Sequence, residues 1–583
     1  MNYLLLKAVV EELSQAIIGH RVDRIAFTDN LSILINFFHP KEKEKFLYLS
    51  ANNDLAAIFL TKTFFTSSKT TTPFLNSCQN FLLGKRLFKI NLEPWERNVC
   101  LEFLDPKTND KVYLFVEIMG KHSNLILVNH DQTIIDGIKR YGENQSRYRE
   151  VLPGKPYIPP PQPEVLLIHQ LTLEKFQTLF LKNPNLTLGE IFKKNIVGLG
   201  NLLLNEVFFR CNLNVKTPSR ELSSKQIEDL YFTLISLTKK EPKPVLYYKE
   251  GIPYYPAPFE FASLENLAKK PGTANEVCEE YYLYFRELRE IENLKNSLSA
   301  KVAKKIKNLQ ERINELKAKV KEYSNAEQFK NFGDLLLTYK QHITKGSSIV
   351  KLPNWDGQEV EIPLDAGKSA VENAEFYYKK YHKAKNGLIS AQNQLNFALE
   401  ELDYFKTVQF QIDDAQTLEV LEDIKQELGL ENNIKVKKVK DKHLDFLTFT
   451  TSSGLKVFVG KSNRQNDYLT FKVAKDNDIW LHAKNIPGAH VILKTDGEPD
   501  QQSLLEAAVI AATFSRARYG KNIPVDYTLR KHVQKPAGAK PGFVIYRQEK
   551  TIYVDPDLSL LHFRLPGLTT GTPSAQRGQF SGK

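Results

Sequence analysis

Residues 454–462 read GLKVFVGKS, close in spacing to a phosphate-binding P-loop. That motif needs four residues between its glycines, and Gly454 and Gly460 enclose five. Lys461 and Ser462 also follow an apolar strand edge rather than a glycine-rich loop, so nucleotide hydrolysis is not expected here. The sequence holds no HExxH, GxSxG or dinucleotide fingerprint. His122, His482 and His490 are not grouped at metal spacing and read as polar or packed side chains. The four cysteines, Cys78, Cys100, Cys211 and Cys278, are scattered without a CxxC pair, so neither a zinc ribbon nor a redox dithiol is indicated. The chain is expected to have no catalytic residue, metal or cofactor of its own.

Polar groups suited to a polyanion are more abundant. In EIMGKHSNLILV, residues 117–128, a strand ends at Met119, turns at Gly120 and resumes at Leu125. The turn gathers Lys121, His122, Ser123 and Asn124, donors for phosphate, ribose or base edges; an ordinary hairpin with a solvated loop explains the same residues. Glu96 and Arg97, beside Trp95, read either as a surface ion pair or as an arginine clamp for phosphate or guanine. In VGLGNLLLNE, Gly198 and Gly200 form either a tight αα-turn or a turn that aims free amides at a backbone phosphate. Between 295 and 322, nine Lys/Arg, among them Lys301, Lys304 and Lys305, face three Glu, a local excess of +6. Such runs are usually solvated faces, but this one leaves few i,i+4 partners, and ribosomal RNA is an anion that would relieve its self-repulsion. Residues 460–493 set Lys461, Asn463, Arg464, Gln465 and Asn466 beside Trp480 and His482, a mixture on adjoining strands that suits RNA. Arg516, Arg518 and Lys521 end a helix, where the dipole alone favours cations.

The elements that must position these residues fall into several parts. The chain has 583 residues, 42% of them hydrophobic, with a formal net charge of +12, so several domains with real cores and a polyanionic partner are expected. The apolar start, MNYLLLKAVVEEL, meets Glu11 and Glu12 at once and reads as a buried helix over 3–18, not a signal peptide. No apolar run is long enough to cross a bilayer, and a soluble, reduced, cytoplasmic setting is predicted. Residues 1–165 read as mixed α/β, closing in the proline-rich VLPGKPYIPPPQP; 166–265 are mostly helical, with a helix–turn–helix around Gly198 and Gly200. Apolar residues recur at heptad spacing from Ile291 through Leu298, Val302, Leu309 and Leu316 to Tyr323. They recur again at Tyr377, Tyr381, Leu388, Leu395, Leu399 and Leu402. The two runs predict, within 266–415, an antiparallel coiled-coil hairpin around a small insert, its first arm roughly 70 Å long. Residues 416–560 return to α/β, with strands at DFLTFTT, KVFVG, YLTFKVA, DIWLHA, HVIL, GFVIY and TIYV and a helix at SLLEAAVIAATFSRARYG; 561–583 form a basic tail expected to be disordered.

Four stretches in order, EIMGKHSNLILV, DGIKRYGENQSRYREVLPGKPYIPPP, NAEFYYKKYHKAKN and GKSNRQNDYLTFKVAKDNDIWLHAKNIPGAHVIL, resemble the RqcH/NFACT family over nearly the whole chain. The resemblance implies an α+β multidomain fold. Its parts would be an N-terminal domain like that of the Fpg/Nei DNA glycosylases, a helix-hairpin-helix domain, a coiled-coil middle domain and a C-terminal NFACT-R domain. It implies a factor that binds large ribosomal subunits obstructed by peptidyl-tRNA and recruits alanyl-tRNA for alanine tailing without mRNA. The ribosome would make the bonds, and a small S4-like helper protein and no membrane would complete the partner list. The family's Asp-Arg pair for tRNA handling falls on Glu96-Arg97, with charge kept and the acid one methylene longer. Its Glu-Ile-Met strand end falls on Glu117, Ile118 and Met119, with Lys121 next. The alternatives are a fibronectin-binding surface adhesin, which lacks an export signal or disulfide framework here, and a DNA-binding glycosylase-like protein. The latter is disfavoured by Asn2 where those enzymes carry a nucleophilic proline.

Overall fold

A computed structural model describes residues 1–38, 45–64, 72–146, 148–161, 168–196, 200–430, 446–495 and 498–560. The chain divides into two compact units, Met1–Leu288 and Arg289–Lys583.

In the first unit, helix α1 (Tyr3–Ile17) starts where the Asn2 side chain accepts a hydrogen bond from the Leu5 amide at 2.8 Å. Leu5, Leu6, Val9, Leu13 and Ile17 recur at helical spacing and are wholly buried against a nine-stranded sheet. Its strands are β1 (Arg21–Asp29), β2 (Ser32–Phe38), β3 (Lys45–Ser50), β4 (Ala57–Thr61), β5 (Arg86–Leu92), β6 (Asn98–Leu104), β7 (Lys111–Glu117), β8 (Asn124–Val128) and β9 (Ile134–Gly137). They run in the order β4-β3-β2-β1-β5-β6-β7-β8-β9, and every pairing is antiparallel. Helix α2 (Pro73–Leu82) begins with proline, which suits a helical first turn, and packs Cys78 and Leu82 into the same core. All five residues of β8 are buried because its two faces serve different clusters. Leu125 and Leu127 join the large core, while Ile126 and Val128 pack with Val151.

A second core in this unit gathers α3 (Leu173–Lys182), α4 (Leu188–Asn195), α5 (Asn201–Arg210) and α6 (Ser224–Lys239) around Phe176, Phe192 and Phe208. A small antiparallel sheet of β10 (Val245–Lys249), β11 (Ile252–Ala257) and β12 (Ala268–Pro271) adjoins it. The first turns of α7 (Ala274–Tyr323) also belong here. Ala274, Cys278 and Tyr282 enter the large core, and the Glu12 carboxylate accepts from the amides of Ala274 and Asn275 at 2.6 and 2.9 Å.

In the second unit α7 pairs with α9 (Ala370–Asp414), and between them lie α8 (Ala326–Thr338), β13 (Ile349–Pro353) and β14 (Glu359–Pro363). The pairing is antiparallel. Lys295 Nζ reaches the Asp413 carbonyl at 3.0 Å and Gln409 Nε2 reaches Ser299 Oγ at 3.1 Å, so partners descend on α9 as they climb α7. Ile291, Leu298, Val302, Leu309, Ile313 and Leu316 form the predicted seam of α7. On α9, Leu399 instead lies exposed, and the small side chain of Ala398 takes a seam position with Leu395 and Leu402.

After α10 (Leu418–Glu427), the C-terminal part is a six-stranded antiparallel sheet. Its strands are β15 (Leu447–Thr450), β16 (Lys456–Val459), β17 (Ile479–Ala483), β18 (Val491–Leu493), β19 (Ile523–Leu529) and β22 (Lys550–Val554), ordered β15-β16-β18-β17-β19-β22; a ribbon of β20 (Val533–Gln534) and β21 (Ile545–Tyr546) stands apart. The run YLTFKVA, predicted as a strand, is helical. It continues α11 (Asn463–Tyr468) through one wide turn, Leu469–Val473, because Ser462 caps the helix by accepting from the Gln465 amide at 3.2 Å. Alternation along β17 sends Ile479 and Leu481 toward α12 (Gln501–Thr513), whose alanines allow close approach. Trp480 points to the other face, where Leu469, Ile492 and Val533 cover it. No helix among the described residues is long and apolar enough to cross a membrane.

Candidate nucleic-acid interface

In the N-terminal unit the turn after β7 is a single 3-10 turn, Gly120–His122, which leaves Lys121 and His122 exposed; Ser123 Oγ closes it by accepting from the Met119 amide at 2.7 Å. Nearby, Lys139 Nζ donates to Asn53 Oδ1 at 3.0 Å. The neighbouring predicted residues Glu117, Ile118 and Asn124 are buried, and their side chains pack or pair within the fold. Glu117 takes a bidentate Arg149, Nη1 to Oε1 at 2.8 Å and Nη2 to Oε2 at 2.5 Å, and also accepts from Tyr157 OH at 3.1 Å. Asn124, paired with Glu117 across β7 and β8, spends its amide on the Lys139 backbone at 2.9 and 3.0 Å. A carboxylate in an apolar strand demands such a partner, because an unpaired buried charge is prohibitively costly. Arg149, from an irregular stretch, carried no sequence signal for this part.

Arg97 is exposed at the start of β6, with Nη1 3.5 Å from the Met1 carbonyl. Desolvation by the groups on its inner side draws its pKa below the ordinary arginine range. Glu96 is half-buried beside it, and Trp95, held at φ 62° in the left-handed region, stacks on Tyr3 at 4.7 Å. The pair therefore stands on a fixed aromatic base. Gly200 precedes α5 at φ 70°, a backbone state that favours glycine, and no side chain caps the helix; Gly198 lies outside the described residues.

Along the coil, Lys301, Lys304 and Lys305 are exposed and form no ion pair among the described residues. Three acids of α9 are engaged with other cations: Glu401 with Lys540 at 3.3 Å, Asp403 with Lys406 at 3.4 Å, and Asp414 with Arg518 at 2.8 Å. This basic face is open to an external anion.

The C-terminal residues divide differently from the sequence expectation. Lys461 and Arg464 reach the surface, Arg464 donating to Gln426 Oε1 at 2.7 Å. Asn463, Gln465 and Asn466 are buried structural amides. Asn463 exchanges hydrogen bonds with Gln411 at 2.8 and 3.2 Å and donates to Glu427 at 2.9 Å, while Asn466 Oδ1 accepts from the His490 amide at 3.1 Å. Trp480 is wholly buried, so it has no open face for a base; it stacks on His482 at 5.7 Å and meets His490 edge-on at 5.2 Å. Burial pulls the His490 pKa down to about 3, and His482 beside it pulls the same way. Burial also pulls His482 down to about 4, with the Gly488 backbone and the Asp526 carboxylate opposing part of the shift. Both rings are neutral near pH 7. Among the described residues no three His, Cys, Asp or Glu side chains are grouped to hold a metal ion.

Committed polar groups thus hold the fold, while lysines without an ion pair stand on a coiled-coil arm and, at Lys461, beside the C-terminal sheet. These features define a multidomain α+β protein with basic surfaces for a polyanion. Residues 2–444 match the NFACT N-terminal and middle domains, and residues 445–548 match the NFACT protein RNA binding domain. The chain belongs to the NFACT family. It is 31% identical over 571 residues to the Rqc2 homolog RqcH of Bacillus subtilis (strain 168), covering 94% of this chain and 96% of that relative. The Rqc2 homolog RqcH of Streptococcus suis (strain 05ZYH33) is 30% identical over 557 residues, with the same coverage of both chains. Among solved structures, the C-terminal part of the fibronectin/fibrinogen-binding protein from Streptococcus suis is 28% identical with a TM-score of 0.37, covering 47% of this chain and 98% of that one.

Proposed function

We propose that this protein is a cytoplasmic ribosome quality control factor. It binds large ribosomal subunits obstructed by peptidyl-tRNA and recruits alanyl-tRNA, so that the stalled chain receives a C-terminal alanine tail without mRNA. The observation that carries this reading is the end-to-end similarity to RqcH relatives, together with a C-terminal part that matches an RNA-binding domain. The geometry supports it with exposed Lys301, Lys304 and Lys305 on the coil for ribosomal RNA, and with Arg97, Lys121 and His122 exposed in the N-terminal unit for tRNA. In this reading the N-terminal part is a glycosylase-like domain without glycosylase chemistry, and α4 and α5 form a helix-hairpin-helix whose Gly200 turn meets backbone phosphate. The peptidyl-transferase centre makes the bonds, and this chain selects and positions tRNA without a cofactor; a small S4-like protein is a candidate helper.

Two measurements test this reading. In low-salt gradients the protein should comigrate with large subunits and leave them as salt rises, because phosphate contacts release counterions. Mass spectrometry of stalled nascent chains should find alanine tails only when the protein is present. A protein that stays at the top of the gradient while stalled subunits are enriched would sink the proposal.

A further inference from the structure

At the base of the coil, where α9 gives way to α10 beside the C-terminal sheet, lies a cavity of about 250 Å³. Phe410, Leu447 and Phe514 supply apolar walls, Gly460 and Gly488 present bare backbone, and Lys461 lines one side. Packing enforces the bare backbone: a Cβ on Gly460 would meet Asn466 Oδ1 at 2.2 Å, and one on Gly488 would meet Ser515 Cβ at 3.1 Å.

One cationic donor here remains unspent. The Lys461 ammonium makes no ion pair or hydrogen bond among the described residues; its backbone amide alone is engaged, by Gln465 Oε1 at 3.0 Å. Arg518 holds Asp414 through Nη1 at 2.8 Å and lies over the Phe410 ring at 5.1 Å, yet its Nη2 is buried without an acceptor. That nitrogen is closed off from the cavity and Arg518 is not part of its lining, so Arg518 serves to hold Asp414 and Phe410 in place. Asp414, the acid in the lining, already has a counter-charge in Arg518.

An apolar slot with an aromatic wall and an unspent cation fits a flat aromatic group that carries a negative charge. We propose that the cavity receives one unstacked nucleotide of a single RNA strand, its base against the Phe410 wall and its phosphate on Lys461. Aromatic stacking of splayed bases beside cationic groups is the common chemistry of single-strand recognition. The proposal rests on the RNA-binding reading above and deepens it by naming the unit recognised, an unpaired nucleotide rather than a duplex.

The test uses the full chain and a single-stranded RNA hexamer carrying one 4-thiouridine, with a fully paired RNA hairpin as comparison. Irradiation should crosslink the hexamer to peptides containing Phe410 or Phe514. Lys461→Ala should weaken hexamer binding by about tenfold, the loss of one charge-assisted phosphate contact, with hairpin binding unchanged. Gln416→Glu, at an exposed lining position, should weaken it in the same direction. Crosslinks confined to the coil, or a Lys461→Ala variant that binds the hexamer as the parent does, would overturn the nucleotide site while RNA binding stands. Failure to bind either RNA would overturn the RNA-binding reading as well.

Discussion

The Glu117–Arg149 pair and the Lys301–Lys305 stretch are built from the same kinds of charged side chain and end in opposite states. Glu117 is wholly buried and Arg149 nearly so, and their geometry is bidentate, with further hydrogen bonds from Tyr157 to Glu117 and from Arg149 to the Ile158 carbonyl at 2.7 Å. The lysines of the coil are exposed and make no ion pair among the described residues. The difference teaches that charge serves a partner only where the fold has not already spent it. Residue type and spacing do not report that; the number of layers over a residue does.

The comparison is broken most severely by removing one side of the buried pair. Arg149→Ala strands the Glu117 carboxylate and should destabilise the N-terminal unit by about 3–5 kcal/mol in thermal or denaturant unfolding. Arg149→Ala combined with Glu117→Gln should recover part of that loss. Next in size is a loss of function without loss of fold: Arg97→Ala, at an exposed position, should abolish tail addition while subunit association persists and Tm moves little. Unchanged tails on a stalled reporter would remove Arg97 from the proposed tRNA contact.

Acid should act on the C-terminal sheet. The folded His490 and His482 sit below the ordinary histidine pKa of about 6.5, so the unfolded chain binds more protons as pH falls under that value. Their neutral burial therefore contributes stability that is intact above pH about 6.5 and is lost progressively as pH falls toward the folded values near 4 and 3. Urea midpoints between pH 7 and 4 check this, and His490→Gln should flatten the slope. The smallest effect on stability belongs to the coil. Lys301→Gln, Lys304→Gln and Lys305→Gln together should leave unfolding within about 0.5 kcal/mol of the parent. The same triple change should lower the salt slope of subunit binding by about 2, less than one unit per lost phosphate contact.

Local rules made part of this legible. The α7 seam follows from its heptad spacing alone, because large apolar residues repeat without interruption. On α9 the same reading chose Leu399, where Ala398 packs instead, since an alanine in a seam looks like any surface alanine. YLTFKVA was open to a strand reading by its alternation, although Ser462 and Gln465 in the spacing S-x-x-Q already signal a helix start. Strand β19 escaped notice because buried Asp526 interrupts its apolar run; it is sustained by Thr551, Tyr546 and Lys484 from other segments. Trp480 illustrates the remaining difficulty. A sheet covered on both faces and a sheet open on one share the same alternation, and only the tertiary fold shows α11 and the Val533 ribbon lying over it.

The three tryptophans give the molecule a built-in optical map. Trp95 stacks in the N-terminal unit, Trp355 is 65% exposed in the insert between α7 and α9, and Trp480 is sealed inside the C-terminal sheet. Variants that keep one indole at a time would fluoresce from three distinct environments, red-shifted at Trp355 and blue-shifted at Trp480. Melting of each part, or quenching when RNA arrives, could then be followed separately without attaching a dye.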